Sequence, residues 1–138
     1  MSGLSKGRSC AVVFIGIALL MAACSKAPPE ASAAADQFIR AYFVEDNVAG
    51  AAKLASGAAK TSLDAALQRI EAAGMKEPAK DKPRVNITLA ETKPVSADVI
   101  GYVYRVDSET AGIQPITAKL RLSKDGNAWS VSEFVQTP

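Results

Sequence analysis

The stretch Ile116-Thr117-Ala118-Lys119-Leu120-Arg121-Leu122-Ser123-Lys124-Asp125-Gly126-Asn127-Ala128-Trp129-Ser130-Val131-Ser132-Glu133-Phe134 decides the fold. Ile116, Ala118, Leu120 and Leu122 alternate with Thr117, Lys119, Arg121 and Ser123. That period of two marks a strand with one face buried and one wet. Lys124-Asp125-Gly126-Asn127 reads as a hairpin turn. A last strand, Trp129 to Gln136, follows it. There Trp129, Val131 and Phe134 break strict alternation, and a β-bulge near Glu133 accounts for the slip.

Two further strands precede this hairpin. Arg84 to Glu91 alternates with Val85, Ile87 and Leu89 on one face, and Thr92 to Ser96, which holds Pro94, reads as a turn. Asp98 to Asp107 is apolar on both faces. Ile100, Tyr102, Tyr104 and Val106 lie on one, Val99 and Val103 on the other, the pattern of a central or doubly covered strand. Ser108 to Pro115 is a loop. Short connections between successive strands imply an antiparallel meander.

Before residue 80 the period is helical. Phe38 and Tyr42, and Ile39 and Phe43, stand at i,i+4 in a helix expected over Ser32 to Phe43. Glu45-Asp46-Asn47 breaks it and caps a second helix, Val48 to Ala55, which Gly57 ends. Thr61 then caps a third, with Asp64 three places on and Leu63, Leu67 and Ile70 on its buried side; Gly74 closes it. Met75 to Pro83 connects helices to strands. The expected fold class is α+β: N-terminal helices packed on a four-stranded antiparallel meander.

The N-terminus carries an address. Lys6 and Arg8 precede Ala11 to Ala23, a run of 13 apolar or small residues. At about 1.5 Å per residue this run is about 20 Å long as a helix, whereas a spanning helix needs roughly 20 residues. Leu20-Met21-Ala22-Ala23-Cys24 resembles a bacterial lipobox, with Met21 where Leu is usual. The resemblance implies cleavage between Ala23 and Cys24 and acylation of Cys24, through a thioether-linked diacylglycerol and a further chain on its amine. Two or more chains at about 0.8 kcal/mol per buried methylene give stable attachment. Residues 1–23 are then a signal peptide, 24–33 a lipidated flexible tether and 34–138 a single globular domain. With Pro28 and Pro29 favouring extended backbone, the tether reaches up to roughly 30 Å at ~3.3 Å per residue. Ser25 after the cysteine, where Asp resembles an inner-membrane retention signal, points to an outer-membrane anchor facing the periplasm.

Composition narrows the chemistry. The chain holds 16 Lys and Arg against 14 Asp and Glu, with no histidine and two cysteines. Loss of Lys6 and Arg8 with the signal leaves 14 of each sign, a neutral domain poorly suited to nucleic acid. The cluster Lys76, Lys80, Lys82 and Arg84 is interrupted by Glu77 and Asp81 and reads as a solvated loop. Without histidine the commonest general base and metal ligand are missing. Cys10 leaves with the signal and Cys24 is acylated, so no thiol nucleophile, disulfide or thiolate site is expected, no metal, no cofactor and no assigned catalytic residue.

Helices followed by a meander ending Asp125-Gly126-Asn127-Ala128-Trp129, together with Phe38-Ile39-Arg40-Ala41-Tyr42 and Glu45-Asp46-Asn47-Val48-Ala49-Gly50, resemble the nuclear-transport-factor-two-like superfamily over residues 33 to 136. The resemblance implies that the helices pack on a curved four-stranded antiparallel meander, a cone-like half barrel, with the cone interior as the ligand site. Isomerase-type members pair a tyrosine donor with acidic residues in an apolar cavity. Tyr42, Tyr102, Tyr104, Asp36 and Asp98 supply those residue types here, and with Trp129 they are the candidate pocket residues. The structural alternative packs the tyrosines in the core with hydroxyls at the rim and uses Trp129 as a plug.

Three functions compete. The leading expectation is a lipid-anchored, non-catalytic binding or assembly module for a protein partner, a second copy or a small apolar ligand. An isomerase-type enzyme with Asp36 or Asp98 as base in a sealed cavity is the second. The third is an inhibitor or immunity lipoprotein acting through Ser108 to Pro115.

Overall fold

A computed structural model describes residues 27–75 and 83–138. The signal peptide, Ala23, Cys24 and residues 76–82 of the connector lie outside the described residues. Among the described residues three α-helices, α1 (Pro29–Ile39), α2 (Val48–Lys53) and α3 (Gly57–Ala72), precede four strands, β1 (Val85–Ser96), β2 (Val99–Ser108), β3 (Ile116–Asp125) and β4 (Ala128–Thr137). The strands form one antiparallel sheet in the order β1-β2-β3-β4, not closed into a barrel, so the α+β meander is as expected.

Helix α1 starts earlier than its apolar spacing implies. Pro29 opens it, where a missing N–H costs nothing and φ is already helical, and Glu30 sits favourably in the first turn. Ala31 is fully buried and Ala27 already packs against the core. Residues 29–33, expected in an extended tether, are thus helical.

A π-helical turn, Arg40–Val44, continues α1. The Glu45 amide donates to the Arg40 carbonyl across 2.9 Å, and Asp46 turns the chain with φ +53°. The wider turn lets the successive rings of Tyr42 and Phe43 both reach Phe134, with centroids at 4.9 and 6.3 Å. Asn47 then caps α2 as expected, its Oδ1 accepting from the Gly50 amide at 2.8 Å.

Helix α3 begins four residues before the expected cap at Thr61. Ser56 donates its amide to the Val131 carbonyl at 2.8 Å, and the Val131 amide donates to Leu54 at 2.9 Å. This short parallel bridge pins residues 54–56 along the β4 edge, and Gly57, at φ +54°, turns directly into the helix. Gly57 thus opens α3 rather than ending α2. Thr61 instead donates its hydroxyl back to the Gly57 carbonyl at 3.2 Å, and Asp64 pairs with Lys60.

Strand β1 runs through Pro94 to Ser96, where a turn was expected. An edge strand tolerates proline because one side of its backbone has no ladder to serve. Register shifts at Leu89/Glu91 and Pro94/Ser96 bend it. The turn is Ala97-Asp98. The bulge expected near Glu133 is Ser132, which lies between Glu133 paired to Arg121 and Val131 paired to Leu122. It returns Trp129, Val131 and Phe134 to the face of Leu120 and Leu122. Ile100, Tyr102, Tyr104 and Val106 of β2 meet the helices, while Val103 faces outward and is half-buried. The core lies between this face and α1 to α3, with Phe38, Ile39, Tyr102, Leu122 and Val131 at its centre.

Candidate functional site

Helix α1 crosses the sheet with Ala31, Ala35, Phe38 and Ile39 turned inward. Beside that face runs a polar stripe, Ser32, Asp36 and Arg40, one residue per turn. Four helical residues rise about 6 Å, and two strand residues span about 6.6 Å. The two spacings match, so side chains of α1 and β2 pair in step. The Tyr102 hydroxyl meets Ser32 Oγ at 3.2 Å, and Tyr104 donates to Asp36 Oδ1 at 2.7 Å. The two phenol rings stack with centroids 6.4 Å apart. Because 32 goes with 102 and 36 with 104, α1 and β2 run in the same direction.

Both rings are buried. Burial pushes the Tyr104 hydroxyl well above its ordinary value, and the bond and charge of Asp36 push it further. Tyr102 is also raised, again chiefly by burial, with the Ser32 bond working against the rise. Each phenol keeps its proton, and the single proton of Tyr104 is already directed to Asp36.

Past this pair the helix and sheet diverge, leaving an open groove of about 370 Å³. Ile39, Arg40 and Val44 line its helical wall; Val85, Ile87 and Leu89 of β1 form the other, with Tyr104 and Asp36 at the inner end. Val44 and Leu89 stay 52% and 48% exposed, which leaves the apolar rim uncovered. The volume is that of a small-molecule site, and it offers an apolar wall, a guanidinium and a carboxylate.

Of the candidate pocket residues, Asp36, Tyr102 and Tyr104 come together here. The other three do not join them. The Tyr42 ring packs among Phe38, Phe43 and Phe134, and its hydroxyl accepts from Gln136 Nε2 at 2.9 Å. Trp129 stands near the start of β4 with Lys124 Nζ 6.0 Å over its ring. Asp98 is exposed in the β1–β2 turn, where its carbonyl accepts from the Lys124 amide at 2.8 Å. The sealed cavity around a carboxylate that an isomerase-type site requires is not the form of this groove, which opens to solvent. Sequence reasoning passed over Ser32 and Arg40; their i,i+4 spacing with Asp36, flanking the apolar stripe, was the available signal.

A second depression, about 280 Å³, lies on the outer sheet face, where Gly101 leaves space between Val95, Val103 and Val135. Lys93, Lys119 and Arg121 surround it, with Arg121 bonded to Glu133 at 3.2 Å. Among the described residues no group of three or more acidic or cysteine side chains converges as a metal site would require. Among them, too, no helix is long and apolar enough to cross a membrane.

Neither a family model nor a curated protein matches the chain. Among solved structures it is similar to an NTF-2-like protein of unknown function from Shewanella oneidensis MR-1. The two share 12% identity and superpose with a TM-score of 0.54, over 78% of this chain and 95% of that one. At that identity the likeness concerns the fold, and the fold is NTF-2-like.

Proposed function

We propose, from this NTF-2-like fold and its open groove, that the chain is a lipid-anchored envelope protein that binds a small ligand or a partner's side chain without transforming it. The groove between α1 and β1 carries the reading: a concave, half-apolar site with Asp36 at its inner end and Arg40 on its helical wall. A molecule with an apolar body and a polar or charged end complements it. Binding is favoured over isomerase chemistry because the Tyr104 proton is committed to Asp36 rather than aimed into the groove, and because no histidine is present to share proton transfer. The lipobox-like run ending at Cys24 supports the anchor and, with Ser25 after it, an outer-membrane address facing the periplasm. The amphiphilic depression on the outer sheet face is the place where a second copy or a protein partner would add to the assembly.

The test is a groove-blocking variant. Leu89→Arg is expected to keep the fold, since Leu89 is half-exposed, and to lose any small molecule that the wild-type protein retains when extracted from its own host's membranes. Equal retention by both proteins would place the ligand elsewhere.

A further inference from the structure

The direction of α1 and the length of chain before it set how the groove faces the bilayer. Ala27 packs against the core, and three residue steps separate it from Cys24. At no more than ~3.6 Å per residue, the Cys24 backbone lies within about 11 Å of Ala27 whatever the intervening conformation. An acylated Cys24 therefore holds the start of α1 at the membrane surface.

That end of the molecule is defined by pairing. Where the two polar rungs lie, α1 advances in the direction of β2, from Ser32 at Tyr102 to Asp36 at Tyr104. Its N-terminus consequently points toward the Val99 end of β2, the end that carries the Ala97-Asp98 turn and the Gly126-Asn127 turn, which the bond from the Lys124 amide to the Asp98 carbonyl ties together. The groove lies at the other end. Val85 pairs with Ser108, the Glu109 amide donates to the Arg84 carbonyl at 2.9 Å, and Val44 ends the π-helical turn. From Pro29 to Val44 the helical rise is about 22 Å, so the groove mouth stands further from the anchor than the start of α1 does.

We infer that the domain stands with the Ala97-Asp98 and Gly126-Asn127 turns against the lipid headgroups and the groove mouth turned to the aqueous side. Its ligand is accordingly a water-borne molecule or a side chain of a soluble partner, and not a lipid drawn laterally from the bilayer. The inference rests on the acylated-Cys24 reading in the proposed function and narrows the ligand class given there.

Single cysteines placed at Asn127 or Ala97, and at Thr110 or Ala111, test it; all four positions are exposed, and each pair supplies a second variant should the first fail to fold. The intact mass of each protein, isolated from host membranes, first reports the state of Cys24. Each is then labelled with a thiol-reactive fluorophore and reconstituted in phosphatidylethanolamine–phosphatidylglycerol vesicles carrying a headgroup nitroxide. Quenching at Asn127 and Ala97 should be at least threefold stronger than at Thr110 and Ala111. Equal or reversed quenching of an acylated protein overturns the orientation and leaves the anchor standing. A mature chain with unmodified Cys24 overturns both.

Discussion

Tyr104 donates its phenolic proton to Asp36 across 2.7 Å, and this bond joins the middle of the sheet to the middle of α1. One turn earlier Tyr102 and Ser32 repeat the arrangement at 3.2 Å. The helix is thus registered on the sheet by two polar rungs whose spacing follows from the geometry of the two elements, and the groove begins where those rungs end.

The Tyr104–Asp36 rung should contribute more than the Ser32 rung, being shorter and having a carboxyl group as acceptor. Tyr104→Phe is expected to lower unfolding stability by about 1 kcal/mol, the solvent at Asp36 reducing the value below that of a fully buried pair. Ser32→Ala should cost about 0.5 kcal/mol or less. Urea unfolding of Tyr104→Phe, Asp36→Ala and the double variant measures the coupling; strictly additive losses would show that the bond adds nothing to stability.

Stability should fall in alkali. The folded-state value of Tyr104 is raised above the ordinary 10.0, so above that pH the unfolded chain releases a proton that the folded chain keeps. The stabilisation is complete below pH 10 and declines as pH rises beyond it. Unfolding midpoints measured between pH 8 and pH 11 should drop for the wild type and drop less for Tyr104→Phe. Parallel curves would assign the alkaline loss to other groups.

Gly50→Ala should fail to stabilise α2. Ala for Gly in a helix is ordinarily worth up to ~1 kcal/mol. Here a Cβ at Gly50 would stand 2.5 Å from Asn47 Nδ2, so the side chain that caps the helix must move. Loss of such a cap costs about 1 kcal/mol, which offsets the gain. Thermal unfolding should place Gly50→Ala at or below the wild type and Asn47→Ala below it. A clear rise for Gly50→Ala would mean that the cap re-forms at no cost.

Phe38 is fully buried and meets Phe134 edge-on at 5.0 Å, making it the main wedge between α1 and β4. Truncation to alanine is expected to cost about 3–5 kcal/mol, a large share of the ~5–15 kcal/mol typical of a whole domain. Far-ultraviolet circular dichroism during urea titration checks it; a loss below 1 kcal/mol would mean that the core collapses around the gap.

Where one period dominated, the fold was legible. Ile116 to Leu122 had a single available face, and the irregular Trp129-Val131-Phe134 spacing already implied the bulge that Ser132 makes. Local rules misled where a distant strand intervened. Thr61 and Asp64 look like a helix start, but Ser56, held by Val131 from β4, starts the helix earlier. Pro94 looks like a turn because sequence does not reveal that its strand lies at an edge. At the site, the tyrosines and Asp36 could be picked by residue type. Their pairing could not, because it depends on α1 and β2 running in the same direction, a relationship between elements 70 residues apart at Ser32 and Tyr102. The same gap explains Arg40, whose place in the groove is set by β1 and not by its neighbours in sequence.

Native mass spectrometry of the protein, extracted gently from membranes of its own host, tests the central claim most directly. The account predicts a mature chain beginning at an acylated Cys24 with a bound small molecule or partner subunit, and loss of the small molecule in Leu89→Arg. A chain that keeps its N-terminal segment or carries an unmodified Cys24 would contradict the anchor, and an acylated monomer that never retains a companion would contradict the binding role.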